Sequence, residues 1–328
     1  MDNAGISYIV VSTSAPGIQG VSNITAATLM AIDINDEMFE KYVQPHPSRF
    51  GFFATVPLQN ATAAALELER AVTVLGAKGA MIYGYTEVTI ETTGAVDIVY
   101  LDDPRCRPFW AKVNELGVPI YIHPRAPPIS QQLMFNHADN THSKYPGLVT
   151  AGWGFTAEAA VHALRLMLSG LFDEYPSVQI LLGHAAEGLP FLIHRIDTQL
   201  SGDAAHHYAP YLPLPRSISP LTNTPPSGVP THLKPLRHYL RTNVYATLSG
   251  IRRLSTVRCT LDEMGEERVL FSVDYPFQSD QDQADWFDGV EGIGVQAKKR
   301  IGWGNARGLL GLEGVGVGEG WIEGEEFR

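Results

Sequence analysis

Arg268-Val-Leu-Phe-Ser-Val-Asp-Tyr-Pro-Phe277 is an apolar run that ends on a single carboxylate, Asp274, and is halted by Pro276. A proline has no N–H for a ladder and a fixed φ, so strand pairing cannot continue through it. The stretch therefore reads as a buried strand delivering one acid to a pocket. Two earlier runs end in the same manner. Val118 to Pro124 finishes on His123 and a proline, and Val178 to His184 finishes on His184, with Glu187 three residues later. Three strands thus carry three potential ligands to their C-terminal ends, where parallel α/β folds place their sites.

Outward from this stretch the chain alternates strand-like and helix-like segments. Further strands are expected at Ser7 to Ser12, Phe50 to Leu58, Ala80 to Tyr83 and Val244 to Leu248, which makes seven with the three above. Helices are expected at Ile24 to Val43, Ala61 to Leu75, Pro104 to Leu116, Ala157 to Ser169, Gly188 to Leu200 and Ala297 to Leu310. In the second, Leu66, Leu68, Ala71 and Leu75 can share a face; in the third, Trp110 and Val113 point inward. A strand followed by a helix, repeated, is what a parallel sheet requires. Seven steps leave two architectures: an open doubly wound sheet, or an eight-stranded α/β barrel lacking its first strand.

The whole of residues 1–310 reads as one domain, with insertion loops at about 125–152 and 201–236 and a flexible Gly- and Glu-rich tail at 311–328. The first loop directly follows His123, the place for a lid. A net charge of −11 and a pI near 5.4 exclude nucleic acid and anionic membranes as main partners. No apolar run approaches the ~20 residues that span a bilayer, and the reading is a cytoplasmic protein. Cys106 and Cys259, far apart in sequence, read as ordinary reduced thiols.

The segments around Phe50 to Leu58, YIHPRAP at 121–127, AEAAVHALRLMLSGLFDEYP at 157–176, ILLGHAAEGLPFLIHRID at 180–197 and RVLFSVDYPF at 268–277 resemble the amidohydrolase-related decarboxylases. The likeness is strongest to those of the γ-resorcylate, 2,3-dihydroxybenzoate and salicylate type. It implies a (β/α)8 TIM-like barrel of the metal-dependent amidohydrolase type, one divalent metal ion (zinc or manganese), no organic cofactor and a homodimer or homotetramer. The implied reaction is nonoxidative loss of carbon dioxide from a small hydroxylated aromatic carboxylic acid.

Carried over by motif, the resemblance makes His123 and Asp274 metal ligands, with Asp274 also transferring the proton. His184 and Glu187 become a catalytic pair, and Tyr83, Phe155 and Arg195 contact substrate. The chain departs from the pattern in its first strand and at Tyr83, in a Pro-rich segment from Tyr208 to Leu236 that is longer than its family counterpart, and in a tail from Gly311 to Arg328 with no family match. The family's first strand ends in Glu-x-His, Glu-x-Ala or His-x-His, and no equivalent occurs here, so the expected barrel lacks that strand. Tyr83 stands where close relatives usually have Asn.

The residue types suit the chemistry. A 2-hydroxybenzoate can chelate a divalent ion through its carboxylate and phenolic oxygens, and decarboxylation needs a proton at the ring carbon that loses the carboxylate. Each residue has a plainer reading as well. His184 could be a satisfied core histidine, Glu187 a helix-start acid favoured by the dipole, and Asp274 a loop cap. His137, His142, His206 and His207 read as solvent-facing, and His162 and His194 as helix positions that pack or face solvent. Two other functions stay open: a metal-dependent lactone or amide hydrolase of the same superfamily, and a catalytically impaired homologue kept as a binding or structural subunit.

Overall fold

A computed structural model describes residues 1–136, 144–200 and 234–312 of the chain. The four loop histidines, most of the 201–236 insertion and the tail beyond 312 lie outside the described residues.

All seven expected strands form: β1 (Ile9–Val11), β2 (Phe50–Phe52), β3 (Ala80–Tyr83), β6 (Ile120–His123), β7 (Ile180–Leu182), β8 (Val244–Thr247) and β9 (Val269–Leu270). β1 pairs with β2, and β3-β6-β7-β8-β9 form a second ladder, every pair parallel. A bridge between Ala54 and Ala80 joins the two ladders into one series. Among the described residues β1 and β9 each pair on one side only.

Alternation along the strands divides the core in two. Phe52, Ala80, Ile82, Ile120, Ile122, Ile180, Leu182 and Val269 face the helices. The intervening Phe53, Met81, Tyr83, Tyr121, Leu181 and Leu270 meet in a separate inner cluster. Successive strand side chains point to opposite faces, and with both faces buried the strands read as continuous apolar runs. The helix Asn305–Leu310 closes one end: Ala306, Leu309 and Leu310 pack on the inner cluster. The Asn305 amide donates to the carbonyls of Glu266 and Val269, at the start of β9.

The helix expected over 24–43 is α-helical from Ile24 to Met38 and continues as a wider π turn over Phe39–Val43. Ala61–Thr73 is helical and buries Leu68 and Ala71, but Leu66 is 62% exposed. It lies off the stripe formed by its neighbours and faces water. Trp110 and Val113 are buried as expected.

Further elements form that were not expected, among them a β4–β5 hairpin (Thr86–Thr89 with Val96–Val99) that follows β3. Helices form at Leu254–Met264 and Asp280–Gly289. The segment read as a loop at 125–152 is helical at both described ends, Ile129–Asn136 and Pro146–Val149.

Candidate active site

The site forms at the C-terminal ends of β3, β6, β7, β8 and β9. The described residues with φ above zero that are not glycine all belong to it: His184 (50°), Ala185 (59°), Ala186 (59°), Glu187 (54°) and Asp274 (81°). Left-handed backbone costs a residue with a Cβ roughly 1–2 kcal/mol, and such strain collects where function demands a particular side-chain direction.

After β7 the backbone makes a left-handed turn through His184 to Glu187 and leaves it at Gly188. The turn folds Glu187 back onto the ring: Nδ1 of His184 lies 2.8 Å from Glu187 Oε1. Glu187 is therefore a buried partner of the imidazole and not a helix-start acid. The other ring nitrogen, Nε2, faces Asp274 Oδ2 at 3.7 Å. Burial opposes a charge on this ring, but the nearby carboxylates of Asp274 and Glu187, the latter hydrogen-bonded to Nδ1, outweigh it and raise its pKa to about 10. The ring lies between two carboxylates, which favour its charged form.

Below it, a line of hydroxyls spans the inner face. Tyr121 Oη lies 2.9 Å from Thr247 Oγ1, which lies 2.9 Å from Ser249 Oγ, and Ser249 accepts from the His184 backbone N–H at 3.5 Å. Burial pushes the Tyr121 hydroxyl well above its ordinary range, so it stays a neutral donor. Sequence reasoning missed these three residues. Their one signal was polar side chains at the inward positions of apolar strands.

His123 ends β6 on the inner face, two residues beyond Tyr121. Its Nδ1 lies 2.8 Å from the Pro124 carbonyl. A carbonyl only accepts, so Nδ1 carries the proton and Nε2 keeps a free lone pair. Burial, assisted by the nearby His184 charge, depresses its pKa, so the ring is neutral. Tyr83, its register partner on β3, is buried with its ring 5.1 Å from that of His123. The Tyr83 hydroxyl donates to the Thr13 carbonyl beyond β1. A Cβ at Gly17 (φ 57°) would stand 2.4 Å from the Tyr83 ring, so the turn after β1 needs glycine to lie this close.

The other expected substrate residues are not brought to this cluster by any described contact. Phe155 is half-buried in the first turn of the helix Gly154–Leu168, and Arg195 is exposed on the helix Leu189–Leu200. His194 is exposed, and His162 is fully buried, accepting from the Leu101 N–H. A cleft of about 460 Å³ lined by Tyr245, Glu267, Arg268 and Asn305 lies at the opposite end of the strands, remote from these groups.

His123 fits a divalent ion through its bare Nε2, and Asp274 through a carboxylate whose only described side-chain partner is His184 at 3.7 Å. No three His, Cys, Asp or Glu side chains cluster as ligands among the described residues. The remaining positions on an ion would fall to oxygen donors such as a chelating substrate or water.

The C-terminal ends of parallel strands, where these functional groups gather, are where α/β barrel enzymes place their active sites. The amidohydrolase family model matches residues 7–201 and 228–312, and the chain belongs to that family. It is 38% identical over 313 residues to a gamma-resorcylate decarboxylase of Polaromonas sp., covering 95% of this chain and 85% of that one. Among solved structures it resembles a 2,6-dihydroxybenzoate decarboxylase complexed with 2,6-dihydroxybenzoate (TM-score 0.80, 36% identity, 96% of this chain and 86% of that one). It also resembles a dihydroxybenzoic acid decarboxylase of Polaromonas sp. with bound manganese and 2-nitroresorcinol (TM-score 0.80, 36% identity, 95% and 84%).

Proposed function

We propose that the chain is a nonoxidative decarboxylase of a hydroxylated aromatic carboxylic acid, of the 2,6-dihydroxybenzoate type, working with one divalent ion, manganese before zinc. The observation that carries this reading is the line Glu187–His184–Asp274, with His184 Nε2 3.7 Å from the Asp274 carboxylate. Relatives that act on dihydroxybenzoates support the substrate class, and a manganese-bound relative supports the metal.

His123 Nε2 and Asp274 would hold the ion. When bound, it would supply Lewis-acid charge to the substrate's carboxylate and phenolate oxygens. The rest falls to the chain. Conversion of a benzoate to its phenol and carbon dioxide consumes one proton at the ring carbon that bears the carboxylate. His184 stores that proton on Nε2 and passes it to Asp274 Oδ2, and Asp274 delivers it to the ring. The carbon–carbon bond then breaks, its electrons return to the ring, and carbon dioxide leaves. Glu187 keeps the imidazole in place and favours its charged form between turnovers. Tyr83, buried beside His123, narrows the inner space to a flat ring.

Two further features belong to this reading. Among the described residues β1 and β9 each pair on one side only, which supports the reading of a barrel that lacks its first strand. Phe191, Tyr275 and Phe277, at 81%, 75% and 70% exposure, support a homodimer or homotetramer. The test of function is product analysis with 2,6-dihydroxybenzoate and Mn²⁺ under anaerobic conditions. Carbon dioxide release without added cofactor is expected. Hydrolysis of lactones or amides, with no carbon dioxide from any hydroxybenzoate, would replace this reading with a hydrolase.

A further inference from the structure

Arg125 follows His123 by two residues and is 8% exposed. One guanidinium nitrogen donates to the Tyr85 carbonyl at 3.0 Å, and another donates to Glu87 Oε1 at 2.8 Å. The guanidinium plane rests on the Tyr85 ring, 4.0 Å from its centre. Tyr85 and Glu87 lie two and four residues beyond Tyr83, the register partner of His123. The arginine thus closes a clasp from the end of β6 to the end of β3 and into the β4–β5 hairpin.

The space beneath the clasp is filled. Gly84 N–H donates to the His123 carbonyl at 3.0 Å. A Cβ on Gly84 (φ 55°) would stand 2.7 Å from Arg125 Cγ and 2.8 Å from Glu158 Oε2. Arg125 is thus held by Tyr85 and Glu87 with Gly84 packed against its stem. A planar, five-donor group in such a setting orders backbone as well as side chain.

We propose that Arg125 is a positioning residue: its clasp on Tyr85 and Glu87 fixes the His123–Pro124 segment, so that the Pro124 carbonyl takes the Nδ1 proton and His123 keeps Nε2 bare as a donor. A free neutral imidazole in water carries its proton mostly on Nε2, the opposite arrangement. Without the clasp, His123 drifts toward that tautomer and loses its value as a ligand. This deepens the role given to His123 above, but the tautomer can be read without metal, substrate or turnover.

The experiment is ¹⁵N NMR of histidine-labelled, metal-free protein, comparing the unsubstituted chain with Arg125→Met and Glu87→Ala. Glu87 is a partly exposed hairpin residue, so its variant keeps the test available where Arg125→Met fails to fold. The expected result is Nδ1–H at His123 in the unsubstituted chain and a shift toward Nε2–H in both variants, larger in Arg125→Met. A Mn²⁺ titration followed by electron paramagnetic resonance should then show affinity lowered about 10- to 100-fold. A folded variant that keeps the Nδ1–H tautomer overturns the proposal, as does Nε2–H in the unsubstituted chain. Failure to release carbon dioxide from hydroxybenzoates would strike the proposed activity and leave the tautomer result intact.

Discussion

His123 and Asp274 stand on two flanks of one site and are held in contrasting ways. β6, which carries His123, pairs on both sides, with β3 over four residues and with β7 over three. Asp274 follows a strand of two residues, Val269–Leu270, that among the described residues pairs with β8 alone. The next backbone N–H, Phe271, is turned to Ile301 instead of a strand. Asp274 itself sits in left-handed backbone, its carbonyl accepting from the N–H groups of Phe277 and Gln278. An imidazole that must present one particular nitrogen is built into the framework. A carboxylate that must carry a proton is hung from a turn.

On that division, the largest effect follows from the acid. Asp274→Asn keeps shape and polarity but cannot carry a proton, and kcat should fall by about 10³-fold or more, with a cooperative unfolding transition retained. Substantial residual turnover would place the proton elsewhere.

Glu187→Gln comes next. It leaves a weaker hold on Nδ1 and a less basic His184, and a loss of about 10- to 100-fold in kcat is expected. The pH–rate profile should separate this from a folding defect, because the limb belonging to the imidazolium should move to lower pH in the variant.

Thr247→Val tests the hydroxyl line under the site. It leaves Tyr121 Oη and Ser249 Oγ without their shared partner, so denaturant unfolding should report a loss of about 1–3 kcal/mol. No change in stability would mean that other groups already satisfy these hydroxyls.

Glu158 gives the gentlest contrast. Burial raises its carboxyl pKa to about 8, against the lowering effect of the Arg125 charge and of a hydrogen bond with Tyr100. The folded protein therefore holds a proton that the unfolded chain releases near pH 4.5. Stability should fall as pH rises from about 4.5 to 8, by something on the order of a few kcal/mol, and then level off. Glu158→Gln should flatten this slope and gain stability relative to the unsubstituted chain at pH 8. An unchanged slope would show that a partner or water satisfies the carboxylate. His162 works at the acid end: burial lowers its pKa to about 3, so its contribution is present above pH 6.5 and fades as pH falls toward 3.

The unequal legibility of the two flanks has a physical basis. All seven parallel strands could be read as apolar runs, six of them buried on both faces over most of their length and β1 half-buried throughout. The β4–β5 hairpin alternates Thr, Glu and Asp with Val and Ile, and only Thr86 and Val99 are buried, so no such run marks it. The helices at Leu254–Met264 and Asp280–Gly289 are largely polar, and their buried faces are narrow.

At the site, motif spacing could place His184 beside Glu187, but not the left-handed turn that joins them. Ala185 and Ala186 ordinarily favour right-handed helix, and only the packed surroundings override that preference. Arg125 was visible within YIHPRAP, yet its function depends on Tyr85 and Glu87, some forty residues away, which no local pattern reveals. Arg195 shows the converse: a position read from motif alone that no described contact ties to the site.

The most direct test of the whole account is to run the reaction in D₂O, with 2,6-dihydroxybenzoate, Mn²⁺ and no oxygen, and to analyse gas and product together. The account predicts one carbon dioxide per substrate consumed and 1,3-dihydroxybenzene bearing one deuterium at the carbon that held the carboxylate, with neither formed by Asp274→Asn. No carbon dioxide from the unsubstituted chain, or equal release by Asp274→Asn, would contradict it.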